Sequence, residues 1–156
     1  MVTVLLSGSG RMEIIKENNK TEVCNNIPEY PINVFGAAGS YWKDGKLSIC
    51  GGYTGSTAIN NCFLLDNGQW KANINNLKTR RNAYAASNIG SNIMFSGGYN
   101  GQYLSSTEIM HHDGKITSGP NLPQDRYRHC QVSYGHTTLI IGKCIVVAKK
   151  MKTKSH

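Results

Sequence analysis

The chain has 156 residues, with 17 lysines and arginines against 9 aspartates and glutamates, for a net charge of +8. Lys149, Lys150, Lys152 and Lys154 crowd the last eight positions, so the body is only mildly basic. No aromatic interleaving or zinc-ligand spacing points to base recognition. No apolar run is long enough to span a bilayer as a helix, and Val2–Leu6 is too short and lacks the basic flank of a secretory leader.

In chain order, the first apolar run is Val4-Leu5-Leu6, closed by Ser7-Gly8, and Met12–Lys16 reads as a second strand. Next come a strand over Val34–Ser40, a turn at Lys43-Asp44-Gly45, a strand over Lys46–Cys50 and a loop through Tyr53-Thr54-Gly55. A third strand, Cys62–Leu65, a turn at Asp66-Asn67-Gly68 and a short strand around Trp70 complete this set. Asp-Gly and Asn-Gly supply the positive φ that a tight hairpin needs. The order then recurs as Ala83–Ser87, Asn92–Ser96, Thr107–His111 and Lys115–Thr117, with turns at Gly90-Ser91 and Asp113-Gly114. It begins again towards Thr137–Gly142. No window sustains helical spacing of apolar residues.

These are copies of one unit. Its second strand ends in glycine at Gly51, Gly97 and Gly142, 46 and 45 positions apart, with a weaker copy at Gly8. A period in that range signals one supersecondary unit repeated. Four antiparallel strands per unit predict an all-β protein, a β-propeller whose four-stranded blades bury their faces against one another. At about 45 residues per blade, the length predicts an incomplete ring of about three to three and a half blades. The expected propeller segment is 1–143, with blade breaks near 31–33, 80–82 and 125–127, followed by a basic tail at 144–156.

The glycine pairs Gly51-Gly52 and Gly97-Gly98, Trp70 in the fourth strand, and the hairpin turns before it together resemble the kelch repeat. So does an arginine set 16 positions before the glycine and three before a ring at strand entry: Arg81 before Tyr84, and Arg126 before His129. The last pair reads Gly142-Lys143, and Asn33 replaces the arginine of the first full unit.

The resemblance implies a protein-interaction module. Its contact surface would be the loops joining second to third strands and those between blades, which here carry Tyr53, Arg80, Arg81, Asn82, Tyr99, Asn100, Tyr103, Arg126, Tyr127 and Arg128. Arginines there would favour an acidic peptide through forked contacts; alternatively, Arg81 and Arg126 would hold adjacent blades together. Many kelch proteins are substrate adaptors of cullin ubiquitin ligases and others bind actin, and the ligase role needs a BTB domain that this sequence does not contain. Two other readings stand beside it. One is a truncated, non-functional or regulatory copy of a longer kelch protein, or a chain whose ring another copy completes. The other is a small-molecule enzyme or specifier on a kelch propeller.

The residues themselves point to no catalytic set, cofactor or metal. His111 and His112 are strand neighbours and face opposite ways, as do His129 and Cys130. For His129 the expected role is a strand-entry ring satisfied by backbone groups. The odd count of five scattered cysteines predicts reduced, buried thiols and a cytoplasmic location, although Cys50 and Cys62 flank one loop and would be the pair to join.

Overall fold

The computed structural model describes residues 3–6, 12–15, 21–23, 28–42, 46–73 and 75–143. Among them every helix or strand is a strand, arranged in antiparallel sheets that follow one another along the chain. β1 (Thr3–Leu6), β2 (Met12–Ile15) and β3 (Thr21–Val23) form a three-stranded sheet. β4 (Ala38–Tyr41), β5 (Leu47–Cys50), β6 (Cys62–Asp66) and β7 (Gln69–Ala72) form a four-stranded one, as do β8 (Ala85–Ile89), β9 (Asn92–Ser96), β10 (Thr107–Met110) and β11 (Ile116–Ser118). β12 (His129–Tyr134) and β13 (Thr137–Lys143) pair at the end. Within each sheet the spatial order is the chain order. The fold is all-β and propeller-like. The expected turn at Lys43-Asp44-Gly45 and the tail at 144–156 lie outside the described residues.

Local chemistry explains where strands stop. Asn67 and Gly68 take φ of 50° and 73°, the primed turn that matches strand twist. The entry strands start later than expected, at Ala38 rather than Val34 and at Ala85 rather than Ala83. Gly36 has φ of 60°, Ala83 49° and Arg128 50°, so the pleat starts only after these left-handed residues, at Ala38, Ala85 and His129. The three sit at equivalent places in successive repeats and tie the sheets together: Ala83 N–H donates to Gly36 O at 2.8 Å, and Arg128 N–H to Ala83 O at 2.6 Å.

The closing glycines form the same seam. At Gly51 (φ 59°) a Cβ would stand 2.6 Å from Arg81 O and 3.1 Å from the Tyr84 ring; at Gly97 (φ 61°) it would stand 2.5 Å from Arg126 O and 2.9 Å from the His129 ring. Any side chain there would collide with the next sheet's backbone. The neighbouring N–H groups complete the junction, Gly52 to Arg81 O at 2.9 Å and Gly98 to Arg126 O at 2.7 Å.

The first strand of each sheet packs against the next, β4 on β8 and β8 on β12. Their contacts are small and polar: Ser87 Oγ meets Ser133 Oγ at 2.6 Å, Gln131 Nε2 donates to Ser87 Oγ at 2.7 Å, and Asn88 Nδ2 donates to Tyr41 O at 2.6 Å. The apolar core lies further out. Trp42, Cys50, Leu77, Tyr84, Ile93, Phe95 and Met110 fill the space between the second and third sheets. Trp70 packs edge-on to Tyr30 (5.0 Å) and donates from Nε1 to Pro28 O at 2.9 Å.

The cysteine expectation is corrected here. Cys50 and Cys62 face each other across β5 and β6, with Cα atoms 4.0 Å apart, and are joined by a disulfide. Cys130 is disulfide-bonded as well. Facing positions on adjacent antiparallel strands bring two Cβ atoms within bonding reach, a proximity that an odd cysteine count conceals.

Candidate interaction surface

Of the ten loop residues expected to meet a partner, the structure exposes Tyr53, Arg80, Tyr99, Asn100, Tyr103 and Arg128, leaves Asn82, Arg126 and Tyr127 half-buried, and buries Arg81. The loops after β5 and β9 are built alike. Tyr53 exchanges backbone hydrogen bonds with Phe35 (2.9 and 2.8 Å), and Tyr99 with Asn82 (3.0 and 2.9 Å), while Asn82 Nδ2 adds a third bond to Tyr99 O at 2.7 Å. Each tyrosine is thereby held on a fixed backbone at the rim, and a cavity of about 220 Å³ opens between the two loops, lined by Tyr53, Ser56, Asn82, Tyr99 and Asn100.

From Tyr99 the aromatic surface continues. Its ring lies 5.4 Å from that of Tyr103, which stacks on Tyr127 at 4.8 Å, and the Arg128 guanidinium covers Tyr127 at 5.7 Å. Such a row gives contact area with few rotors to freeze, and its hydroxyls and guanidinium supply hydrogen bonds.

Arg81 leaves this surface, which corrects its expected contact role. Its side chain is fully buried and its Nη atoms donate to Gly97 O (2.7 Å), Ser106 O (3.1 Å), Ser106 Oγ (3.3 Å) and Glu108 Oε1 (2.7 Å). The side chain thus serves its own sheet, while the backbone carbonyl reaches the previous one through Gly52. Sequence reasoning missed Glu108 altogether. It is buried in β10 and accepts two further bonds, from Lys78 N–H (2.6 Å) and Thr79 N–H (3.0 Å). The available signal was an acid inside a strand that is otherwise free of charge, Thr107–Met110.

His129 is not satisfied by backbone groups as expected: Nε2 meets Ser96 Oγ at 2.9 Å, and among the described residues nothing partners its buried Nδ1. Burial foremost, and the Arg126 guanidinium next, hold its pKa below the usual imidazole value. The folded chain therefore favours the neutral ring, and the unfolded chain takes up the proton at higher pH. This contribution to stability is complete above the unfolded pKa of about 6.5 and is lost as pH falls below it towards the folded pKa. Thermal unfolding from about pH 7.5 down to about pH 5 should show a larger drop in midpoint for the native chain than for His129→Gln; parallel curves would contradict this. His111, for its part, turns its Nε2 to Thr117 Oγ1 at 2.7 Å, while His112 is exposed.

No protein-family model matches the chain, and no curated protein does. Solved structures do match. The one described as the structure of YjhT superposes with a TM-score of 0.70 over 88% of this chain at 17% identity. This chain spans 46% of that one. A likeness at this identity shows a shared fold and leaves function to the site.

Proposed function

We propose that the chain is part of a kelch-type β-propeller that acts as a protein-interaction module, holding its partner on the loop face formed by Tyr53, Arg80, Asn82, Tyr99, Asn100, Tyr103, Tyr127 and Arg128. The observation that carries this reading is the continuous tyrosine row from Tyr99 to Tyr127, ending under Arg128, next to a cavity between two equivalent loops. Support for the kelch assignment comes from the glycine seams and from the positive-φ residues that recur with them. The cytoplasmic location and the link to a ubiquitin ligase belong to the same proposal, and the Cys50–Cys62 disulfide weighs against the first.

The test pairs Tyr103→Ala with Arg128→Gly. Glycine already occupies the equivalent left-handed position at Gly36, so Arg128→Gly removes the guanidinium without straining the fold. Proteins captured by the native chain should be recovered at least about tenfold less well by the double variant, since tyrosine and arginine dominate contact energies. Equal recovery by both, with matching circular dichroism, would sink the loop-face reading.

The second reading is a piece that needs more chain or another copy to close its ring, and the 46% span of the YjhT chain favours it. Light scattering on the eluting protein separates the two: a discrete dimer fits closure between copies, and polydisperse aggregate fits a fragment.

A further inference from the structure

Arg81 and Arg126 hold the same place in successive repeats, 45 positions apart, and so do Gly97 and Gly142. Around Arg81 the environment has an inner part, the carbonyl of Gly97, and an outer part, Ser106 and Glu108. The outer part comes from β10 and the residue before it, and β10 pairs antiparallel with β9 so that Glu108 stands opposite Phe95.

Around Arg126 the inner part is present. Gly142 lies beside the guanidinium, with Nη1 3.9 Å from where its Cβ would be. Among the described residues nothing accepts a hydrogen bond or ion pair from that guanidinium, and β13 pairs only with β12. Asp125, on the rim, forms no ion pair with it. Residues 144–156 contain no aspartate or glutamate, so the following sequence holds no acid in the register of Glu108.

Among the described residues, nothing takes the place of the outer part. A cavity of about 270 Å³ is lined by Tyr103, Arg126, Tyr127, His129 and Gly142, and His129, 6% exposed as a residue, carries a buried Nδ1 that has no partner among the described residues. Along the same sheet Leu139 and Ile141 are 59% and 55% exposed, whereas their equivalents on β9, Met94 and Ser96, are buried.

We propose that the outer edge of β13 is completed by an extended strand of another polypeptide, running antiparallel as β10 does on β9, which sets a glutamate or aspartate opposite Ile140 and against Arg126. Main-chain bonds along an unpaired edge give such a strand its hold, and a charge-assisted fork at one arginine selects the acid. The inference uses the sheet edge and one arginine, so it stands or falls separately from the loop face.

The probe is a labelled peptide with the sequence of residues 103–112 of this chain, which contains the β10 segment, together with its Glu108→Gln counterpart. Both are titrated against the full chain by fluorescence anisotropy. The acidic peptide should bind saturably and the Gln form about tenfold or more weakly, with the difference abolished in Arg126→Gln protein. The peptide comparison leaves the protein untouched, so a poorly folded variant cannot obscure the answer. Equal affinity of the two peptides, or no binding of either, overturns the proposal. Free glutarate at about millimolar concentration is the third arm: complete displacement of the peptide would mean a pocket for small carboxylates and overturn the strand, while slight displacement supports it.

Discussion

Replacing Glu108 by alanine should destabilise the chain by about 3–5 kcal/mol, the range for breaking a buried ion pair from one side. The carboxylate is 3% exposed and its partner Arg81 0%. Deleting it leaves a guanidinium in the core without a counter-charge, and strips the acceptor from the N–H groups of Lys78 and Thr79. Arg81 would keep its bonds to Gly97 and Ser106, which satisfy protons without neutralising charge. Glu108→Gln keeps shape and one acceptor, so it should fall between. The decisive comparison is the double variant Arg81→Met/Glu108→Met: removing both charges should recover much of the loss, because the desolvation cost disappears with them. Urea unfolding followed by circular dichroism reads all four proteins. A loss below about 1 kcal/mol in Glu108→Ala would mean that the pair behaves like an exposed one and does not clamp the 78–81 segment to its sheet.

The elements that were legible in the sequence are those whose cause is local. Asn67-Gly68 demands a primed turn wherever it occurs, and β9 was bounded correctly at Asn92–Ser96 because a turn glycine precedes it and a glycine pair ends it. The repeat exposed Gly51 and Gly97 as special, but their reason, a backbone carbonyl of the next sheet within 2.6 Å of a Cβ, is a contact made 30 residues away. The same holds for Arg81. Spacing placed it in a loop between blades, and only packing shows its side chain folding inward to an acid 27 positions on. Ala83 and Arg128 hid the strand starts for a different reason: neither residue type advertises positive φ, which Gly36 alone suggests. On the candidate surface, the tyrosines were identified by residue type, while their stacking from Tyr99 to Tyr127 depends on two loops of successive repeats meeting at one rim.

The largest consequence that the sequence did not reveal is the Cys50–Cys62 bond, and its removal carries the second large effect. The two cysteines are 12 positions apart, and for a loop of that length the constraint on the unfolded chain is worth about 3 kcal/mol. Cys50→Ala/Cys62→Ala protein should lose about 2–4 kcal/mol against the oxidised chain, with a lower unfolding midpoint. Both sulfurs belong to residues 0% and 1% exposed, packed among Leu77, Tyr84 and Met110. A reductant therefore has no path to the bond while the sheet is closed, and reduction should proceed at the rate at which β5 and β6 open. Thiol titration after unfolding checks the premise. With five cysteines, the Cys50–Cys62 bond and a second bond that holds Cys130, at most one thiol should react without prior reduction, and five reactive thiols would restore the reduced form expected from composition. If the bond is present and its loss leaves the midpoint unmoved, the cross-strand register already supplies the constraint. If the midpoint falls as expected, the chain is a substantially weaker protein in a reducing compartment than in an oxidising one. The choice of compartment then sets how much stability the β4–β7 sheet has to lend to the loop face.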